Sequence, residues 1–557
     1  MIISQKAGKG YPLFVAVFLL REDTEDTVMM RITNAMMTSN TKNNININKL
    51  NEDRLNTQIA TGQVISRPSE DPVVAIRALR LNTNLSQLTQ YYKKNIPDAQ
   101  AWLNVTETAL KQTDQIFTNI KENLTTGASD TNTANDRQKI LESLKGLRAE
   151  LYSSGNADYA ERTVFTDYRT QKSLTFLDTD TDLDWNYNIH ETFDTKEIDK
   201  VDYVTSYKNP ASETDVKDLK ESGLGRIRLS YDNLNEADGT TKNLIWEGEY
   251  PAGSGTIVQN TQVVTVKSIA GKSQEYIDDL YRNLGANDAI LIPETGEIIL
   301  GSNIAKEIEK GGNYPGTSPA YLDGGYNKNQ WKSGDLRPEH YFACYQNNKV
   351  TGNKDYYNYE EKEDPTTHKM VIDDTKPNFQ NKDMVVEISF NQKITINTHA
   401  NEVYTHDIGR DIDELIKVTQ DVVDCDEKVS SLEKKLDAET DATQKAAIQK
   451  ELDAAKKEYS LKKNRMQKMF SGALDTFAEY ADRNNLAIAN IGSMQQRLDI
   501  TKERVADQLQ SFKELADANI NAELTESSID FASAKLALEA AQLAAGKIAQ
   551  QTLLNYL

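Results

Sequence analysis

From Leu85 to Leu124 the mostly apolar positions recur at steps of three and four: Leu85, Leu88, Tyr92, then Ile96, Ala99, Leu103, Thr106, Leu110, Thr113, Phe117, Ile120 and Leu124. That spacing lines one face of a helix and predicts a long amphipathic segment with a coiled-coil seam. One extra residue between Tyr92 and Ile96 breaks the register, and Pro97 follows, so a kink or a restart is expected there. A second helix is predicted over 133–152, with Leu141, Leu144, Leu147 and Leu151 on one face.

From about 165 to 398 the helical period fades and Tyr, Asp, Thr, Asn and Gly rise. Short alternating runs replace it. Val263 to Val266 is one, and 289–292 and 297–300 flank Pro293-Glu294-Thr295-Gly296, a turn-rich connection typical of a hairpin. Val386, Ile388, Phe390, Ile394 and Ile396 alternate across a second hairpin, and Asp238-Gly239 and Gly311-Gly312 are further turn signals. The helical pattern returns at about 411. Leu415, Val418, Val422, Cys425, Val429, Leu432 and Leu436 make heptads, and Glu439 to Thr443 interrupt them. Ile448, Leu452, Ala455 and Tyr459 then resume the period, which predicts an antiparallel helical hairpin. Ile491, Met494, Leu498, Val505, Phe512 and Leu515 continue it, and a last helix over about 527–554 is rich in alanine. Alanine favours helix but buries little area, so such a helix needs close neighbours.

The fold class expected is α+β: an elongated rod of N- and C-terminal coiled-coil helices carrying a mostly β central insertion. A large insertion is tolerable because loop-closure cost grows slowly with length.

The chain has 557 residues, 64 Lys+Arg against 85 Asp+Glu, a formal charge of −21 and an apolar fraction of 38%. The apolar shortage suits a surface-rich architecture. The acidity argues against a nucleic-acid partner and against docking on anionic lipid. Cys344 and Cys425 lie far apart, so neither a disulfide framework nor a zinc site is expected. The apolar run at 11–20 is too short for a membrane span. Lys6 and Lys9 precede it as in a signal peptide, yet Arg21-Glu22-Asp23 stand where a cleavage site belongs. Residues 1–29 therefore read as a doubtful leader or a mis-assigned start, with translation beginning at Met29 or Met30.

Candidate chemistry is thin. His190-Glu191-Thr192-Phe193-Asp194 lacks the second histidine of a zincin motif. Asp178, Asp180, Asp182 and Asp184 alternate like calcium-loop ligands, but Leu183 and Ile189 occupy the required Gly and Glu positions. Ser222-Gly223-Leu224-Gly225 lacks the lysine of a phosphate loop, and His340 and Cys344 have no partner set. No catalytic residue, cofactor or metal site is expected.

Two stretches are more specific. MRITNAMM at 30–37 resembles the start of the hook–filament junction proteins of bacterial flagella, and QIATGQVISRPSEDPVVAIRAL at 58–79 resembles a stretch of the same family. At the other end, 490–557 resembles the C-terminal region of the flagellin superfamily. Within it the chain is most similar to hook-associated protein 3; flagellin more usually shows a DDAAG-type run where Glu70-Asp71-Pro72 stand. The resemblance implies an inner layer of terminal helices (30–61 with 516–557), an outer helical rod (62–165 with 399–515) and a variable outer domain (166–398). It implies a structural, non-enzymatic subunit that forms a homo-oligomeric ring. Its partners would be the preceding hook-associated junction protein, flagellin and a cytosolic export chaperone. The location implied is extracellular, on the flagellum, after export by the flagellar secretion apparatus without a cleaved signal. Assembly would couple folding of the ends to axial packing.

The resemblance also assigns subunit-contact or connector roles to Gly62, Arg67, Pro68, Ser69, Asp71 and Pro72, and to Arg497, Leu498, Leu536, Leu543, Leu553, Leu554 and Leu557. Read by residue type, Gly62 ends a helix with positive φ, Pro72 opens the next and Ser69 or Asp71 caps it. An ordinary helix–loop–helix would use the same residues. Two rivals stand beside this reading. One is a flagellin filament subunit with a large insertion. The other is a glycan-binding or enzymatic insert on the same rod, with Trp185, Trp246 and Trp331 lining a site.

Overall fold

The computed structural model describes residues 34–129, 132–194, 198–204, 221–249, 255–312, 318–365 and 368–554. Residues 1–29, the first residues of the 30–37 motif and Leu557 lie outside them. Among the described residues the main helices are α1 (Asn34–Thr61), α2 (Pro72–Gln90), α3 (Ile96–Gly127), α4 (Ala134–Gly155), α5 (Gln274–Arg282), α6 (Ser302–Gly312), α7 (His406–Ala438), α8 (Ala442–Ile520) and α9 (Leu524–Leu554). Most strands lie between α4 and α7, so the fold is α+β. The chain divides into two compact units, 1–86 with 510–557, and 87–509.

In the larger unit the broken register before Pro97 has a structural cause. Tyr91–Asn95 form one turn of π-helix, closed by Ile96 N–H donating to the Tyr91 carbonyl. Such a turn absorbs one extra residue. Pro97 follows at once, inside a continuous helical run in which Asn95 and Ile96 are both right-handed, so the N–H that it lacks is missing at the point where the π-turn already interrupts the regular ladder. α4 starts at a capping box in which the Thr133 hydroxyl and the Asp136 carboxylate satisfy each other's backbone N–H. α3, α4, α7 and part of α8 pack together. Phe117 meets Phe477 edge-on at 6.4 Å, and Asn484 donates to the Leu110 carbonyl at 3.0 Å. The heptads of α7 are buried at Leu415, Val418, Val422, Cys425 and Leu432. Residues 439–441 turn the chain, and Leu432 packs on Leu452 and Ala455 of α8, making the expected antiparallel hairpin. α8 continues unbroken for 79 residues.

The central region holds an eight-stranded sheet in the order 192–193, 320–322, 241–249, 257–266, 289–292, 297–300, 221–228, 199–204. Among the described residues only the pairing of 257–266 with 289–292 is parallel, and α5 lies in the crossover that such a pair requires. A four-stranded sheet orders 326–328, 187–190, 343–347 and 354–357. The 289–300 hairpin forms as expected, with Gly296 at φ +62°. So does the 385–395 hairpin, turned at Asn391 with φ +54°. Gly311-Gly312 instead close α6, a helix that, like α5, the fading period did not announce. The three tryptophans are core: Trp185, Trp246 and Trp331 are buried together, and Trp331 stacks on Phe176 at 4.7 Å. They line no open site, which removes that basis for a glycan-binding insert.

Candidate subunit-contact site

The 62–71 connector is built by its own backbone. Gly62 takes φ +67° and its N–H returns to the Gln58 carbonyl at 2.8 Å, the left-handed closure that only glycine adopts without strain. Asp71 is the cap of α2: its Oδ1 accepts from the N–H groups of Val73 at 2.9 Å and Val74 at 3.1 Å, and Pro72 opens the helix. Ser69 is exposed and leaves that task to Asp71; Arg67 and Pro68 are exposed as well. Ser66 donates to Glu70 twice, from N–H and from hydroxyl, each at 2.9 Å. The Ser66 N–H, and then its hydroxyl, hold the Glu70 carboxyl below the usual carboxylate range.

The break between α8 and α9 lies beside this connector. Gln63 and Asn521 form an antiparallel bridge. Val64 N–H donates to the Ile520 carbonyl at 2.8 Å, and Ala522 N–H to the Gly62 carbonyl at 2.9 Å. Nothing in the sequence signals this contact, since 515–527 contains neither Gly nor Pro.

α1 and α9 pack against each other within the one chain. Their protected positions follow a heptad rhythm: Thr41, Ile45, Asn48, Glu52, Leu55 and Ile59 on α1, and Ser527, Phe531, Ala534, Leu538, Ala541 and Ala545 on α9. Steps of four and three are the seam of a coiled coil. The seam is poor in large apolar groups, because α1 contributes Thr41, Asn48 and Glu52. A second stripe on α9, Ile529, Leu536 and Leu543, repeats every seven residues and faces solvent, with 62%, 68% and 70% exposure. Ile47 and Leu50 of α1, and Val73, Ile76 and Leu79 of α2, are likewise more than half exposed. The ends are therefore already paired with each other, and what stays open is their outer surface.

The assigned residues do not form one patch. Gly62 to Pro72 belong to the connector, and Leu536 and Leu543 to the open stripe. Leu498 is fully buried in the larger unit, and the exposed Arg497 donates to the Lys393 carbonyl at 3.1 Å. Leu553 and Leu554 lie in the last turn of α9, and Leu557 is beyond the described residues.

The chemistry considered from sequence finds structural uses. Asp180 and Asp182 clasp Arg337 at 2.6 and 3.0 Å. Burial opposes ionisation of Asp182, but Arg337 overcomes it and keeps the carboxyl below its usual range. Glu191 accepts from the Ser230 hydroxyl at 2.6 Å and from the Tyr326 hydroxyl, both inside the core. Burial pushes the Cys425 thiol up to about 11 and Cys344 well above its ordinary value, so neither is a ready nucleophile. Among the described residues no helix is long and apolar enough to cross a membrane.

Residues 32–170 match the family described as the bacterial flagellin N-terminal helical region. Among curated relatives, flagellar hook-associated protein 3 of Salmonella typhimurium is 27% identical over 143 residues, 26% of this chain and 45% of that protein. The flagellin of Clostridium tyrobutyricum is 25% identical over 145 residues, 26% of this chain and 36% of that protein. The chain thus spans less than half the length of the curated relatives it matches. Among solved structures, a flagellar hook-associated protein of Vibrio parahaemolyticus is 12% identical with a TM-score of 0.30, covering 81% of this chain and all of that one.

Proposed function

We propose that this protein is a structural subunit of the bacterial flagellum that joins the preceding hook-associated protein to the flagellin filament. The observation that carries this reading is the α1–α9 pair: a coiled-coil seam closed within the chain, beside a solvent-facing apolar stripe at Ile529, Leu536 and Leu543. Full burial of one leucine is worth roughly 1.5–3 kcal/mol. Stacking neighbouring copies on that stripe therefore supplies the association energy of a ring, and the loosely packed seam tightens as it is covered. Gly62–Pro72, Leu536, Leu543 and the last turn of α9 are the contact and connector residues of this proposal. Localisation on the flagellum, export without a cleaved signal, and capture by an export chaperone before assembly belong to the same reading, as does a role without enzymatic activity.

A flagellin filament subunit is the second reading, favoured by the match to the Clostridium tyrobutyricum flagellin. Imaging the labelled protein on intact cells separates the two. A single band at the base of each filament supports the junction role; label along the whole filament overturns it.

A further inference from the structure

Between α5 and the 289–300 hairpin on one side, and α7 and α8 on the other, lies a cavity of about 520 Å³. Steps of three and four along a helix share one face, and they bring Ile277 and Tyr281 of α5, and Arg410, Glu414, Lys417 and Asp421 of α7, to its wall. The carboxylates of the wall are largely engaged. Glu297 bonds Arg226 at 2.6 Å, and Glu414 bonds Arg226 at 2.9 Å and Arg228 at 3.3 Å. Asp413 holds Arg148 at 3.1 Å, and Asp232 holds Lys328 at 3.4 Å. Glu294 accepts from the N–H groups of Ile269 at 3.1 Å and Ala270 at 2.9 Å, and from the Ser268 hydroxyl. Asp421 has no bonded partner among the described residues, but with Glu458, 2.9 Å away, it holds the charge of Lys462.

The remaining cations are under-served. Lys417 is exposed and makes no hydrogen bond or ion pair among the described residues. Arg465 reaches only Glu414, at 4.0 Å, a carboxylate that Arg226 and Arg228 already share. Arg410 donates once, from Nη2 to the Thr295 carbonyl at 2.6 Å, and no carboxylate among the described residues lies within 4.0 Å of it. Thr295 is itself on the wall, which places that guanidinium there. The Nε atoms of both arginines are sealed, but Arg410 Nη1 and both Nη atoms of Arg465 are neither bonded nor sealed. Burial, and then Arg228, push the Arg410 pKa below its ordinary value, although Asp232, Glu297 and Asp413 pull the other way. A guanidinium so placed lacks a counter-ion. The facing wall is apolar at Ile269, Ile277 and Tyr281, whose ring stacks on Tyr203 at 4.1 Å. The volume falls in the roughly 300–1,000 Å³ of small-molecule sites.

We propose that this cavity binds a small organic oxyanion, a carboxylate or phosphate on an apolar body, with the anionic group on Arg410 and Arg465, Lys417 at the rim, and the body against Ile269, Ile277 and Tyr281. Charge-assisted hydrogen bonds to guanidinium are the strong ones, and here they supply the missing counter-ion. The chain's net charge of −21 repels anions at long range, so uptake reports the local cluster. Titration calorimetry on the full chain with phenyl phosphate, benzoate, inorganic phosphate and the neutral benzyl alcohol tests this. At least one of the two aromatic anions is expected to bind more tightly than inorganic phosphate and benzyl alcohol. Binding of phenyl phosphate alone identifies a phosphate monoester as the ligand class; binding of benzoate identifies a carboxylate. Arg410→Gln and Arg465→Gln should each weaken binding severalfold, and Lys417→Ala, at an exposed position, should weaken it without risk to the core. No uptake of either aromatic anion at millimolar concentration overturns the proposal. So does uptake no tighter than that of benzyl alcohol or inorganic phosphate, or uptake that survives the substitutions. Neither outcome bears on the junction role, which rests on the other unit of the chain.

Discussion

Two buried histidines push stability in opposite directions with pH. The Asp167 hydrogen bond, with help from Asp383, raises the His399 pKa against the pull of burial. Its contribution is complete below the ordinary imidazole value of about 6.5 and is lost as pH rises through the raised value. Burial lowers His340 to about 4. Its contribution is present above about 6.5 and is lost as pH falls toward that lower value. Denaturant midpoints of the full chain should therefore fall on both sides of neutrality. His399→Gln should flatten the alkaline limb and His340→Gln the acid limb; an unchanged limb in either variant refutes the assignment. Glycine gives a second residue-scale test. A Cβ at Gly296 would lie 1.9 Å from the Tyr231 carbonyl oxygen, whereas one at Gly239 meets nothing within 4 Å, and both have positive φ. Gly239→Ala should cost about 1–2 kcal/mol for its handedness alone, and Gly296→Ala clearly more, as read from chemical unfolding. At this scale the connector was the most legible feature. The types of Gly62, Asp71 and Pro72 dictate local backbone, and local backbone is what they set. The Ser66–Glu70 and Gln63–Asn521 contacts were not legible, because they depend on where the chain goes next.

At the scale of elements, helices were readable where one face repeats over many turns. α3, α4 and the α7–α8 hairpin were legible for that reason, and so was the register break whose cause is the π-turn. α5 and α6 span only 9 and 11 residues, too few turns for a period to stand out among strands. The tie between the sheet and α7 was also hidden. Arg226, 4% exposed, bonds Glu297 of the sheet at 2.6 Å and Glu414 of α7 at 2.9 Å, and also pairs with Asp199. Replacing Arg226 by Met leaves Glu297 without its cation, while Arg228 still holds Glu414 at 3.3 Å, and removing one partner of a buried pair costs about 3–5 kcal/mol. Arg226→Met should lower the unfolding midpoint of the full chain, and Glu297→Gln added to it should recover part of the loss. Independent, additive losses would show that Arg226 and Glu297 do not depend on each other.

For the whole molecule, the sequence pattern foretold helical ends around a β-rich centre, because both ends carry long periods and the centre does not. The partnership of α1 with α9 was less visible. Alanine on one helix and asparagine on the other make a seam with little hydrophobic contrast, and Leu536 and Leu543 of α9 face away from it while Leu538 lies in it. That separation makes the proposed assembly testable without unfolding the subunit. Leu536→Glu with Leu543→Glu alters only exposed positions, so the thermal unfolding of the full chain should be unchanged while attachment to filaments is lost. Deleting residues 528–557 should likewise abolish incorporation, as counted by filament yield in complemented cells. Normal filaments from either variant would overturn the proposed contact.

Where α1 gives way to α2, α8 also gives way to α9, and each gap borrows a backbone hydrogen bond from the other: Val64 from Ile520, Ala522 from Gly62. A gate hung on paired pins cannot swing on one alone. The four helix ends meeting at Gln63 and Asn521 share that restriction, so a bend on the incoming strand has to be matched by a bend on the returning one.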